Sequence, residues 1–171
     1  MIVKAEVINQ PFSGEYKERV YDISSPWNSQ SWSWIKFTNE NSTEWCGNFR
    51  GFPSGVAVSS KYNAVLVLTS DYLFRLNANN GELIGYEDQP QYQHITVSPS
   101  GEFIVADYYD IEIINSTLNK KVLLDSPIKM DRIKFHNWYN NRLLITCEEF
   151  LNWDNKVELE LDGVTYVITI K

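Results

Sequence analysis

Two cysteines and two histidines are the whole supply of soft metal ligands and neutral-pH proton carriers in these 171 residues. Cys46 and Cys147 are too few for a disulfide framework or a four-cysteine zinc site, so each is expected as a small, reduced, buried residue. His94 and His136 precede or lie in separate apolar runs, and structural roles are expected for both. Positive charge is also short. Fifteen Lys and Arg stand against 22 Asp and Glu, a net charge of -7, which opposes nucleic-acid binding by phosphate neutralisation. No run approaches the roughly 20 apolar residues of a membrane-spanning helix. The opening MIVKAEVINQ lacks the basic start and apolar centre of a secretory signal, so a soluble, cytoplasmic chain is expected. Missing too are a nucleophile-elbow serine, a phosphate-cradling glycine loop and EF-type acidic spacing. No catalytic residue, metal ligand or cofactor is therefore assigned. Gly47, Gly51 and Gly55 are expected to serve strand kinks or close packing.

What the chain does have is apolar alternation. No window keeps helical spacing with caps at both ends, whereas period-two runs recur throughout. An apolar share of 43% with 14% aromatics suits a packed all-β core. At the C-terminus, Val157, Leu159 and Leu161 alternate up to Asp162-Gly163, and Val164, Tyr166, Ile168 and Ile170 alternate after it. That pattern predicts a hairpin with a two-residue turn of positive φ.

The chain also repeats. At an offset of 39, Val58-Ser59 falls on Val97-Ser98, Ala64 to Val67 on Phe103 to Ala106, Asp71 on Asp110, Phe74 on Ile113, and Leu83-Ile84 on Val122-Leu123. A looser third copy places Ile133 and Phe135 on a first strand and Leu143 to Ile145 on a second. Four short strands at this period resemble the blades of β-propellers of the WD-repeat or NHL kind. The Gly-His and Trp-Asp dipeptides of those repeats are absent from the corresponding positions. The resemblance implies a single all-β domain over 1-171. It would consist of irregular strands in 1-54 and antiparallel four-stranded repeats over 55-93, 94-131 and 132-171, forming a partial or small propeller. An antiparallel β-sandwich is the alternative. WIKFT at 34-38 matches RIKFH at 132-136 yet lies half a repeat before the next first strand.

On the blade pattern the acidic loops gather on one face: Glu87 and Asp88, then Asp107, Tyr108, Tyr109 and Asp110, then Glu148, Glu149, Trp153 and Asp154. Carboxylates supply steering and aromatics supply anchor area, so these residues, Asp110 excepted, form a candidate surface for a basic protein partner. Asp110, present in both copies, is expected to anchor its turn. In size, charge and composition the chain resembles bacterial immunity proteins. That resemblance implies a non-enzymatic inhibitor covering the active site of a cognate cationic toxin, such as a nuclease. A propeller-type hydrolase with a cation held by loop carboxylates is the second expectation, and a scaffold domain the third. The oligomeric state is left open.

Overall fold

The computed structural model describes all 171 residues; it has sixteen β-strands and no α-helix. The strands form four four-stranded sheets like propeller blades, and the chain divides into two compact units, Met1–Pro90 and Gln91–Lys171, with two sheets in each.

In the first unit, β1 (Ile2–Ile8), β2 (Glu18–Tyr21), β3 (Trp32–Asn39) and β4 (Glu44–Arg50) make a sheet of order β1-β3-β4-β2. The pairings of β1 with β3 and of β3 with β4 are antiparallel, but β2 lies parallel to β4, Glu18 opposite Cys46 and Tyr21 opposite Phe49. The edge place is thus filled by a segment from between the first and second strands of the sheet. This explains the half-repeat offset: WIKFT lies on β3, second in its sheet, while the matching RIKFH lies on a first strand. The next sheet is a simple meander of β5 (Pro53–Ser59), β6 (Ala64–Thr69), β7 (Tyr72–Asn77) and β8 (Leu83–Asp88). Every residue of β6 is buried.

The two sheets bury their facing sides in one cluster containing Ile35, Phe37, Phe49, Val65, Val67, Tyr72 and Phe74. Its seam is aromatic. Phe49 stacks on Tyr21 at 4.4 Å and meets Phe74 of the neighbouring sheet edge-on at 5.1 Å, geometries that add to the burial itself. Gly47 is small for this reason, since a Cβ there would stand 2.6 Å from the Phe49 ring. On the other side of the first sheet, Glu6 accepts from Lys4 and Lys36, and Lys36 also reaches Glu44. These lysines hold the Glu6 carboxyl at about 2, well below its ordinary value.

In the second unit, β9 (His94–Val97), β10 (Phe103–Ala106), β11 (Ile111–Ile114) and β12 (Lys121–Leu123) form one meander. A second follows from β13 (Met130–Tyr139), β14 (Arg142–Glu149), β15 (Asn152–Asp162) and β16 (Ile168–Ile170). Ile104, Ile111 and Ile113 of one sheet pack with Ile133, Leu143, Ile145, Leu159 and Leu161 of the other. Trp138 Nε1 donates to Thr96 Oγ1 at 3.0 Å, tying β13 to β9. Cys46 and Cys147 are free and buried. Burial pushes the Cys46 thiol up to about 11, with the Glu18 carboxylate adding to the effect.

The 39-residue correspondence is structural. β7 opens at Tyr72 and β11 at Ile111, and the aligned serines Ser59 and Ser98 are both buried at the turn after a first strand. Each hydroxyl accepts a turn amide, from Tyr62 at 3.2 Å and from Glu102 at 3.0 Å.

Two local expectations need correction. The Asp162-Gly163 connection is no two-residue turn of positive φ. Tyr166, at φ 59, takes the left-handed conformation, and the Asp162 carboxylate accepts the amides of Val164 and Thr165, both at 2.9 Å. Gly163 is required by packing instead, because a Cβ there would stand 2.7 Å from the Trp138 ring. Nor does the Asp110 carboxylate anchor its turn. Asp107 Oδ1 does so, accepting the amides of Tyr109 and Asp110 at 2.7 Å each.

In the aligned place Asp71 is buried, accepting the Ser29 amide and the Ser70 hydroxyl, both at 2.7 Å. It pins the 22-31 loop to the β6–β7 turn. Gly51 completes the site at φ 104, where a Cβ would meet Thr69 Oγ1 at 2.6 Å. Asp71→Ala strands the part-buried Ser29 amide and is expected to cost about 1 to 2 kcal/mol, whereas Asp110→Ala should leave stability within about 0.5 kcal/mol. Denaturant melts of the two variants test this contrast, and equal losses would contradict it.

Candidate functional site

The second unit carries a groove of ≈ 600 Å³ beside the crossing from β12 to β13, lined by Tyr109, Asp110, Leu123 to Ser126, Ile128 to Met130, and Phe150. Its position follows from chain economy. β12 has only three residues, and the chain then crosses to β13 through 124-129 without joining a sheet. Both ends of this crossing are tied, by Leu124 N–H to the Ile111 carbonyl and by Phe150 N–H to the Lys129 carbonyl, each at 2.9 Å. Leu124 and Ile128 pack on the core from above, and Met130 is buried beneath. Tyr109 and Phe150 form the rim, edge to face at 6.0 Å, with Tyr109 51% exposed.

Of the charged lining residues, two are acidic and one is basic. Asp110 and Asp125 are exposed, with neither a cation nor a hydrogen-bond donor on their carboxylates, and Lys129 is the one cation in the wall. Partial burial raises the Asp110 carboxyl above its usual range, and the neighbouring charges of Asp107 and Glu112 add to this. Glu112 itself accepts the Tyr92 hydroxyl at 2.6 Å.

The other sequence candidates are held in local contacts of their own. Tyr108, 50% exposed, stands beside Tyr109 with ring centres 6.3 Å apart, and its carbonyl accepts from Ile133 N–H. Glu148 points away from the core cluster and pairs with Arg132 at 3.1 Å. Glu149 accepts the side-chain amides of Asn152 and Asn155, both at 2.9 Å, and these hold its carboxyl below the usual value. Trp153 is exposed and donates to Asp131 Oδ2 at 3.2 Å, and Asp154 is exposed on β15. Glu87 and Asp88 lie at the end of β8 in the first unit, opposite Leu73 and Tyr72. The structure thus brings Asp107, Tyr108 and Tyr109 to one turn beside Phe150. It places Glu148, Glu149 and Trp153 in pairings of their own.

Leu124, Asp125, Ile128, Lys129 and Phe150 are additions from the structure. Their sequence signal is slight: Leu124 and Ile128 fall in LLDSPIKM outside any alternating run. His94 is half-buried against the Phe135 ring at 5.6 Å, with burial lowering its pKa, and His136 Nε2 lies 2.8 Å from Thr146 Oγ1. No group of three or more His, Cys, Asp or Glu side chains is placed to hold a metal ion, and no helix is long and apolar enough to cross a membrane.

Half-exposed rim tyrosines should contribute little to stability. Tyr108→Ala and Tyr109→Ala are each expected to cost about 1 kcal/mol or less, while Leu143→Ala, at a fully buried position, should cost about 2 to 5 kcal/mol. Thermal melts check the difference. A rim loss equal to the core loss would make the tyrosines structural.

The sequence matches no protein-family model and no curated protein. Among solved structures, the chain is similar to the N-terminal domain of Nup159, with a TM-score of 0.48, 11% identity, and coverage of 71% of this chain and 34% of that one. It is similar also to a chain of an S. cerevisiae complex of Dbp5 bound to Nup159, Gle1, IP6 and ADP, at 10% identity and the same score and coverage. The chain spans about a third of the length of these matched chains, and no functional residue is carried across from them.

Proposed function

We propose that this is a non-enzymatic binding protein that docks a basic protein partner through its acidic, aromatic-rimmed loops. One observation carries the reading: an exposed apolar groove whose wall holds two unpaired carboxylates against one lysine, on a chain of net charge -7. Exposed apolar area rimmed by polar groups marks contact surfaces, and a negative surface steers a cationic partner toward it.

The finer form of the proposal is an inhibitor of the immunity type, acting in the cytoplasm, that neutralises a cationic bacterial toxin by covering its active site. Size, charge and aromatic content support that form. A hydrolase using a loop-bound cation lacks a gathered donor set to support it.

Selection of short random peptides against the immobilised chain tests the proposal. Enriched binders should carry net positive charge. Their association should slow markedly as the Debye length shrinks from about 30 Å at 0.01 M to about 10 Å at 0.1 M salt. Enrichment without charge bias, or rates indifferent to salt, would count against it.

A further inference from the structure

The groove in the second unit has the features of a two-part receptor. Its floor is apolar, with Leu124, Ile128 and buried Met130, and Tyr109 and Phe150 stand over it as an aromatic rim. Asp110 and Asp125 line the same groove without cationic partners. We infer that the groove seats one large apolar side chain of a basic protein segment, together with an adjacent lysine or arginine whose charge is met by Asp110 and Asp125. The inference rests on the binding-protein reading above and names what its central contact recognises.

Three observations fix this occupant. The volume of ≈ 600 Å³ lies within the range of sites that enclose a small ligand, enough for an anchor side chain and its neighbour. The charges select the sign: Asp107 and Glu112 stand close to Asp110 and add to its negative field, so an anionic segment would be repelled and a cation would relieve the crowding. The walls are already held, by the Leu124 and Phe150 backbone bonds and by the Asp107 cap of the rim turn. Little ordering is then left for the partner to impose. Lys129 also lines the groove and is exposed, which leaves its lining with one more carboxylate than cation.

Titration of the isotope-labelled full chain with 4-phenylbutylamine, 4-phenylbutanol and 4-phenylbutyrate, followed by amide NMR, tests this without a known partner. The amine should shift Tyr109, Asp110, Leu124, Asp125 and Ile128, and bind about fivefold more tightly than the alcohol, the upper range for one part-exposed ion pair. The carboxylate should bind weakest. In the double variant Asp110→Asn, Asp125→Asn, amine affinity should fall to that of the alcohol while alcohol affinity stays unchanged.

Equal binding of the three probes, or shifts confined to other surfaces, would overturn the inference. Peptide binding by the same variant separates it from the broader reading. If cationic peptides bind the variant undiminished, the groove is not their site though the binding-protein reading stands. If the amine fills the groove but no cationic peptide binds anywhere, the protein-docking reading fails and the inferred partner fails with it.

Discussion

The structure depends on one constraint: an apolar sheet face must be covered by another packed layer, and in a chain without helices that layer is another sheet. Each unit answers it by stacking two sheets. In the first, Phe49 joins the sheets through Tyr21 on its own side and Phe74 on the other. In the second, branched aliphatics do the same, and Trp138 adds a hydrogen bond across the seam. Outward faces are free to carry charge. The Lys4, Glu6, Lys36 and Glu44 network and the Arg132–Glu148 and Arg142–Glu160 pairs occupy such faces. Ion pairs this exposed contribute little to stability, but they keep the faces wettable and apolar burial directed inward.

The same constraint creates the groove. The chain that crosses from β12 to β13 covers the core edge only partly. Leu124 and Ile128 are the incomplete cover. A turn that needs only an aspartate cap, supplied by Asp107, nevertheless presents two tyrosines beside it. Carboxylates used for structure are satisfied locally, as Asp71, Glu149 and Asp162 are. Those of Asp110 and Asp125 are not, and they face the groove. The division between satisfied and unsatisfied acids therefore separates scaffold from surface more sharply than their sorting along the chain.

Much of the fold was legible because the meander repeats leave a fixed period. The equivalence of Tyr72 with Ile111 and of Ser59 with Ser98 follows from the 39-residue offset alone. The first sheet escaped that test because β2 is inserted parallel at the edge, so its strands do not follow the order that self-comparison assumes. Asp71 and Asp110 align in sequence yet differ in role, since strand β6 runs two residues beyond the position where β10 ends and the turns differ in length. Of the candidate site, the tyrosine turn was legible from its excess of aromatics. The Leu124 to Lys129 wall was not, because apolar residues outside a periodic run carry no sign of which surface they join.

The central claim is that the groove is a contact surface mounted on a rigid frame. Hydrogen exchange of the backbone amides, with and without a saturating cationic peptide, tests it most directly. In the free protein, slowest exchange is expected in β6, β7, β10 and β14, whose residues supply the cores, with faster exchange in 107-110 and 124-129. Peptide should slow exchange in those two segments and leave the strands unchanged. Peptide-induced protection falling elsewhere, or none at all, would contradict the claim.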